Sequence, residues 1–301
     1  MDNPRSIILV TGATGLTGRE IVKRLSQSHV RIRVLVRDIT KAHALSFDSL
    51  PHVTIFEGDL GKSETLAPAL TGADKAILIS SSNPEMEAVQ CNFIETAKKF
   101  NLKHIVKLSG IIADINSPFR YARMHAEIER MLENSGISFT HLRAGEFMQS
   151  YFRQIPNILE RDSLFLPMED QKIASIDVSD VADVAVKILT GIGHKGNVYP
   201  VTGPESLTMQ EVAEKFSIVL GRKINYINVP PEDAKKAQLN AGMSQYTADA
   251  LEELFAERRK GKEAKVYYTM QNVFGLRPTS FEEFINRNLP VFRGELPALK
   301  I

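Results

Sequence analysis

Thr11-Gly12-Ala13-Thr14-Gly15-Leu16-Thr17-Gly18 decides how this chain is read. The segment follows the apolar run Ile7-Ile8-Leu9-Val10 and opens a stretch of helical period. Between a strand and a helix, its three glycines have separate tasks. Gly12 permits the tight turn out of the strand, Gly15 lets the backbone approach a pyrophosphate without a Cβ in the way, and Gly18 allows the helix to pack close to the sheet. The free N–H groups of the first helical turn then face the phosphates. Gly12, Ala13, Thr14, Gly15, Leu16, Thr17 and Gly18 are therefore the expected cradle for a dinucleotide.

Outward from this turn, β-branched runs at 6–11, 31–36, 53–57, 75–81, 104–109 and 138–143 alternate with helical patterns at 15–28, 63–71, 84–100 and 118–135. That alternation predicts βαβ units and an α/β fold, a Rossmann-type doubly wound parallel sheet. Asn83-Pro84 and Ser117-Pro118 each read as a capping side chain before a proline at the first helical position, and Gly72 and Gly136 as left-handed helix stops. Beyond residue 146 the pattern is irregular, with short strands expected at 172–177, 197–201 and 223–228. Thr208 and Glu211 form the spacing of a capping box. The stretch 252–265 carries both signs of charge at helical spacing and reads as a solvated helix face. The expected division is 1–150 as an NAD(P)-binding domain and 151–301 as a smaller C-terminal α+β substrate region. Segment 172–192 is expected to return to the first domain. No Pro/Gly/Ser-rich linker intervenes, which favours direct packing of the two.

The composition fits that picture. The chain has 301 residues, 43% hydrophobic and 24% charged, with 18 Gly and 14 Pro, near globular averages. Lys plus Arg number 37 and Asp plus Glu 36, a net charge of +1, without the basic excess that displaces counterions from nucleic acid. The single Cys91 cannot form an intramolecular disulfide, and among Met86, Val89, Phe93 and Ala97 it reads as a small buried hydrophobe. Residues 1–5 and the short apolar run after Ser6 lack the pattern of a secretory signal or a membrane span, so a cytoplasmic location is expected.

The end of the second strand selects the dinucleotide. An acidic residue there would bond the ribose 2′-hydroxyl, whereas this chain has Arg37, which suits a 2′-phosphate. NADP(H) is the preferred cofactor, with NAD(H) the alternative if Asp38 faces the ribose instead.

Four segments resemble the atypical short-chain dehydrogenase/reductases of the NmrA-like group. They are Gly12-x-x-Gly15-x-x-Gly18, Val34-Leu35-Val36-Arg37-Asp38, Phe56-Glu57-Gly58-Asp59-Leu60, and the run from His125-Ala126-Glu127-Ile128-Glu129 through Ser135-Gly136 to Leu142-Arg143-Ala144-Gly145-Glu146-Phe147. The last is similar to the helix, strand and cofactor-side loop of the group's NAD(P)H-dependent quinone reductases. Ile176 to Ala182 is similar to a further signature of the family. The resemblance extends over most of 6–190. It implies a Rossmann domain with a smaller substrate-side region. It also implies cofactor contacts from Asp59 and Leu60 near the adenine, from Ser80 and Ser81 after the fourth strand, and from Ala144, Gly145, Glu146 and Phe147.

Ordinary members of the superfamily use a Tyr as proton donor, with a Lys four residues on that lowers the phenol's pKa from about 10. This sequence has no Tyr-x-x-x-Lys. In its place stands Tyr121-x-x-x-His125, whose spacing sets the two residues one turn apart on a helix. Ser109 lies where the polarising Ser is expected. His125 titrates near neutrality and has three open roles: proton relay, ribose contact and structural packing. The remaining histidines lack metal-ligand spacing, so no metal is expected. Two functions fit. One is an NADPH-dependent reductase of a small, flat acceptor such as a quinone, imine or conjugated carbonyl, with Phe147 and Met148 offering a stacking surface. The other, favoured by the missing Tyr-Lys pair, is a non-catalytic redox sensor of the NmrA type that binds the dinucleotide and regulates a partner protein.

Overall fold

Residues 7–10 are buried along their whole length, as expected for four consecutive branched side chains in the middle of a parallel sheet covered on both faces. The computed structural model describes residues 6–298; the reading of residues 1–5 lies outside them. In chain order the elements run β1 (Ile7–Val10), α1 (Leu16–Leu25), β2 (Arg31–Val36), α2 (Ile39–Ala44), β3 (Val53–Glu57), α3 (Ser63–Leu70), β4 (Lys75–Leu78), α4 (Met86–Lys99), β5 (His104–Gly110), α5 (Arg120–Asn134) and β6 (Ser138–Ala144). There follow α6 (Ile155–Arg161), β7 (Ser163–Leu166), α7 (Val178–Thr190), β8 (Asn197–Val201), α8 (Met209–Leu220), β9 (Asn225–Asn228), α9 (Pro231–Asn240), α10 (Gln245–Arg258), α11 (Thr269–Phe274), α12 (Phe281–Arg287) and α13 (Leu289–Phe292).

The seven-stranded sheet has the order β3-β2-β1-β4-β5-β6-β8, the doubly wound arrangement that the alternation predicts. The β1–β2, β1–β4, β2–β3 and β4–β5 pairs are parallel. By contact the chain forms two units. The first holds residues up to 115, 123–143 and 178–199; the second holds 116–122, 144–177 and 200 onward. Within the first, α7 packs on α1, where Arg24 Nε donates to Asp183 Oδ1 at 2.6 Å. Within the second, Phe152, Phe216, Phe281, Phe284 and Phe292 form an aromatic core, with Phe216 and Phe292 edge to face at 4.9 Å. A two-stranded parallel sheet, β7–β9, belongs to this unit.

Several local expectations change. The run 172–177 forms no strand because its backbone is shared among separate partners: Ile173 bridges Leu207, Ala174 N donates to Glu263 O, and Ile176 bridges Phe147. The helix after Asn83-Pro84 begins at Met86, and Asn83 Oδ1 instead accepts from Glu85 N at 3.1 Å. Likewise α5 begins at Arg120, with Ser117 Oγ accepting from Phe119 N at 3.2 Å. Both prolines thus sit in turns that precede their helices. Cys91 is half-buried. The short α2, α6 and β7 have no counterpart in the sequence reading. Gly72 and Gly136 do adopt positive φ, and Thr208 and Glu211 close their capping box.

The stretch 252–265 is the largest departure, because Glu257, Arg258 and Glu263 are 3%, 5% and 7% exposed. Arg258 pairs with Glu263 and with Glu146, closing a three-charge cluster. Burial raises the Glu263 carboxyl above its ordinary range, and the guanidinium limits the rise. Arg258→Met should leave two enclosed carboxylates facing each other, at a cost of about 3 to 5 kcal/mol near neutral pH. With the Glu263 pKa raised by burial above its unfolded value, the folded variant binds an extra proton on acidification. Urea melts at pH 7 and pH 5 should therefore show the deficit shrinking at the lower pH.

Candidate functional site

The turn after β1 is held by Thr11, whose Oγ1 donates to Ile79 O and accepts from Ile79 N, each at 2.8 Å. This clasp brings the exits of β1 and β4 together. Gly12 has φ +58°, and a Cβ on it would lie 2.8 Å from Ile79 O. A Cβ on Gly18 would lie 2.2 Å from Gly12 O and 2.8 Å from Ala13 Cα, so α1 begins directly on the backbone leaving the strand. Gly15 is different: it is exposed, and within the protein its Cβ would meet only Gly12 O, at 3.2 Å. The chain demands glycine at 12 and 18, whereas at 15 the open side of the turn has room for a ligand's backbone-hugging approach. The N-terminus of α1 has no side-chain cap and no acidic residue in its first turn, leaving its N–H donors for an anion. The residues present fit a dinucleotide pyrophosphate. Ala13 is fully buried, so what it can offer a phosphate is backbone.

At the end of β2, Arg37 is exposed and has no hydrogen bond or ion pair among the described residues. Asp38 is occupied. As the N-cap of α2, its Oδ1 accepts from Thr40 N at 3.0 Å and from the Thr40 hydroxyl. Those donations, the hydroxyl's first, hold the carboxyl below its usual range. The short helix that sequence periodicity missed thus commits the competing acid, leaving a guanidinium for a 2′-phosphate. Asp59 Oδ1 accepts from Gly61 N at 2.9 Å while its own N–H donates to Thr65 Oγ1, and Leu60 O accepts from Asn92 Nδ2. After β4, Ser80 Oγ accepts from Gln90 Nε2 at 2.9 Å, and Ser81 is exposed.

Farther along the sheet, β5 carries Lys107 and Ser109, two residues apart and so on one face. Lys107 is fully buried. Its Nζ lies 2.8 Å from His125 Nδ1 on α5 and donates to Leu108 O at 3.1 Å. Burial pushes the amine down to about 7. Burial also lowers the imidazole well below its ordinary value, and the neighbouring Lys107 and Arg143 lower it further. Gly110 leaves space for the ring, since a Cβ there would sit 3.3 Å from His125 Cδ2. One turn beyond, Glu129 accepts from Arg143 Nε at 3.0 Å. Although burial opposes its ionisation, the guanidinium holds this carboxyl below the usual range. Ser109 Oγ is buried without a well-formed hydrogen bond, though near enough to Glu129 to favour the carboxylate.

Lys107 has no counterpart in the sequence reading, because the superfamily spacing sets the amine four residues along the helix, whereas this chain supplies one from the neighbouring strand. Its signal was a lone charge within the apolar run His104 to Leu108. Tyr121 packs edge to face with Phe119 and Tyr246 at 5.6 and 6.2 Å. Burial pushes its phenol up to about 12, away from the range a proton donor needs near neutrality.

In the second unit, Gly145 N donates to Val201 O at 2.9 Å, and a Cβ there would lie 3.1 Å from Ala174 O. Ala144 is buried, the Glu146 carboxylate pairs with Arg258, and Phe147 is half-buried. Met148, expected beside Phe147 on a stacking surface, is 2% exposed and belongs to the aromatic core. Among the described residues no group of three or more His, Cys, Asp or Glu is placed to hold a metal ion, and no helix is long and apolar enough to cross a membrane.

The profile of the NmrA-like family matches residues 4–285. This chain belongs to the NmrA-like family. An NAD(P)H azoreductase of Xenophilus azovorans is 35% identical over 286 residues, spanning 95% of this chain and 99% of that protein. Quinone oxidoreductase 2 of Escherichia coli (strain K12) is 31% identical over 283 residues, spanning 93% and 98%. A crystal structure of an NADPH-dependent quinone oxidoreductase from Escherichia coli, complexed with NADPH, superposes with TM-score 0.86 at 31% identity, covering 94% of this chain and 99% of that one. NmrA itself, a negative transcriptional regulator solved with NADP, shares the fold at TM-score 0.77 and 18% identity, with 97% and 98% covered.

The two uses of glycine separate experimentally. Gly15→Val should keep the native circular dichroism spectrum and lose dinucleotide binding, whereas Gly18→Val should lower the melting temperature as well. Arg37→Ala should lose about tenfold to a hundredfold in NADPH affinity, the worth of a charge-assisted contact, with NADH affinity little changed. Calorimetric titration of both cofactors checks this, and a variant that keeps its preference would remove Arg37 from the site.

Proposed function

We propose that this NmrA-like protein is an NADP(H)-dependent oxidoreductase that reduces a small, flat acceptor, such as a quinone, imine or conjugated carbonyl, in the cytoplasm. The observation that carries the cofactor assignment is the end of β2, where Asp38 is committed to capping α2 and Arg37 is open. In this reading, Gly12 to Gly18 hold the pyrophosphate and Arg37 the 2′-phosphate. Asp59 and Leu60, Ser80 and Ser81, and Ala144 to Phe147 complete the cofactor site, an assignment that rests on family resemblance. Residues 1–150, with the returning helix α7, form the dinucleotide-binding part, and the later segments form the acceptor side.

NADPH, when bound, supplies the hydride. The chain's own contribution is orientation and a hydrogen bond to the atom that gains electrons. His125 is the residue suited to it, with a ring nitrogen, Nε2, that takes no partner among the described residues. Ser109 supports it from β5. Tyr121, with its raised phenol, fits a packing role against Phe119 and Tyr246 better than proton donation.

The reading is tested by NADPH consumption across quinones, azo dyes, imines and enones. Turnover with at least one class is expected. His125→Ala should lower kcat by about 10² to 10³, the usual cost of removing one hydrogen-bond donor aimed at developing negative charge, with NADPH affinity changed far less. An equal loss in both would make His125 a ribose contact. Silence of the wild type across the panel, with NADPH still bound, would favour the sensor of the NmrA type and its partner protein.

A further inference from the structure

The contact between Lys107 and His125 constrains where the ring proton sits. Lys107 Nζ is enclosed, with Leu108 O and His125 Nδ1 in reach at 3.1 and 2.8 Å. Below the titration of the enclosed amine at about 7, Lys107 is an ammonium with only protons to offer, so Nδ1 accepts, and the single hydrogen of a neutral imidazole is then on Nε2. The surrounding charges agree. Facing this pair are Glu129 on α5, Arg143 on β6 and, half-buried on α4, Cys91. With the carboxylate already bound to Arg143, two cationic groups oppose a third positive charge on the ring.

We propose that Lys107 is a positioning residue that donates to His125 Nδ1 and so locks the ring as a neutral imidazole with its hydrogen on Nε2. This rests on the reductase reading and sharpens its substrate class. A neutral imidazole polarises an oxygen or nitrogen by donating a hydrogen bond, without the acidity of an imidazolium. It therefore suits acceptors whose reduced form spreads negative charge over a conjugated system, where hydride arrives from NADPH and the balancing proton is taken from water afterwards. Quinones and conjugated carbonyls meet that demand; simple ketones, whose reduction yields a localised alkoxide, do not.

The test is nitrogen-15 NMR of the histidine-labelled protein, with the His125 signals assigned by difference from His125→Gln. The wild type should show a protonated Nε2 and bare Nδ1 between about pH 5.5 and 6.5, below the Lys107 titration at about 7 and where an ordinary His, with a pKa around 6.5, is becoming an imidazolium. Lys107→Met, in which an apolar chain of similar length replaces a buried charge, should show mixed tautomers or an imidazolium near pH 6. Its kcat should fall about tenfold to a hundredfold, the worth of one charge-assisted hydrogen bond, at unchanged KM for NADPH. Lys107→Gln, whose amide still donates, should restore the Nε2–H tautomer. A wild-type ring protonated on Nδ1 overturns the proposal, as does a Lys107→Met protein with unaltered His125 signals. Should Lys107→Met not fold, the wild-type spectrum and Lys107→Gln decide alone. Failure of the wild type to reduce any acceptor would count against the reductase reading, while the spectra still judge the tautomer.

Discussion

The start of α1 lies against the backbone that leaves β1 so closely that a single Cβ on Gly18 would sit 2.2 Å from Gly12 O. That contact fixes where the helix begins and which way its N–H groups point. With the Thr11 clasp on Ile79, it sets the phosphate end of the site relative to β1 and β4, the middle of the sheet. The rest of the first unit can then be built by repetition of parallel strand and covering helix. Glycine is needed twice for the fold and once, at Gly15, for what the fold receives.

Charged groups enclosed in the molecule are held by partners, and the two clusters differ in consequence. Arg258 with Glu146 and Glu263 is a structural knot in the second unit, costly to open because each carboxylate depends on the one guanidinium. On β5, α5 and β6 the arrangement is looser: Glu129 is satisfied by Arg143, which leaves Lys107 with the imidazole as its strongest partner. An amine pushed to about 7 beside a ring that resists protonation is the kind of perturbed pair that marks working sites more often than scaffolding.

The sheet was legible in the sequence because its strands are short, apolar and separated by helices of clear period, and the glycine turn named its own ligand. Arg37 was legible too, but the choice between it and Asp38 was not, since it depends on a six-residue helix too short to show periodicity. The burial of Glu257, Arg258 and Glu263 was hidden for a similar reason: charges at helical spacing look solvated until a tertiary partner encloses them. Lys107 was not legible as the partner of a helix residue, because this chain brings its amine to α5 from β5, and residues on two separate elements keep no fixed sequence spacing.

A crystal structure of the protein grown with NADPH tests the central claim most directly. The account predicts the pyrophosphate on the N–H groups at the start of α1, the 2′-phosphate on the Arg37 guanidinium, and the His125 Nε2 edge turned toward the nicotinamide. A 2′-phosphate left in solvent with Asp38 released from Thr40 to the ribose would contradict it, as would a nicotinamide placed out of reach of His125.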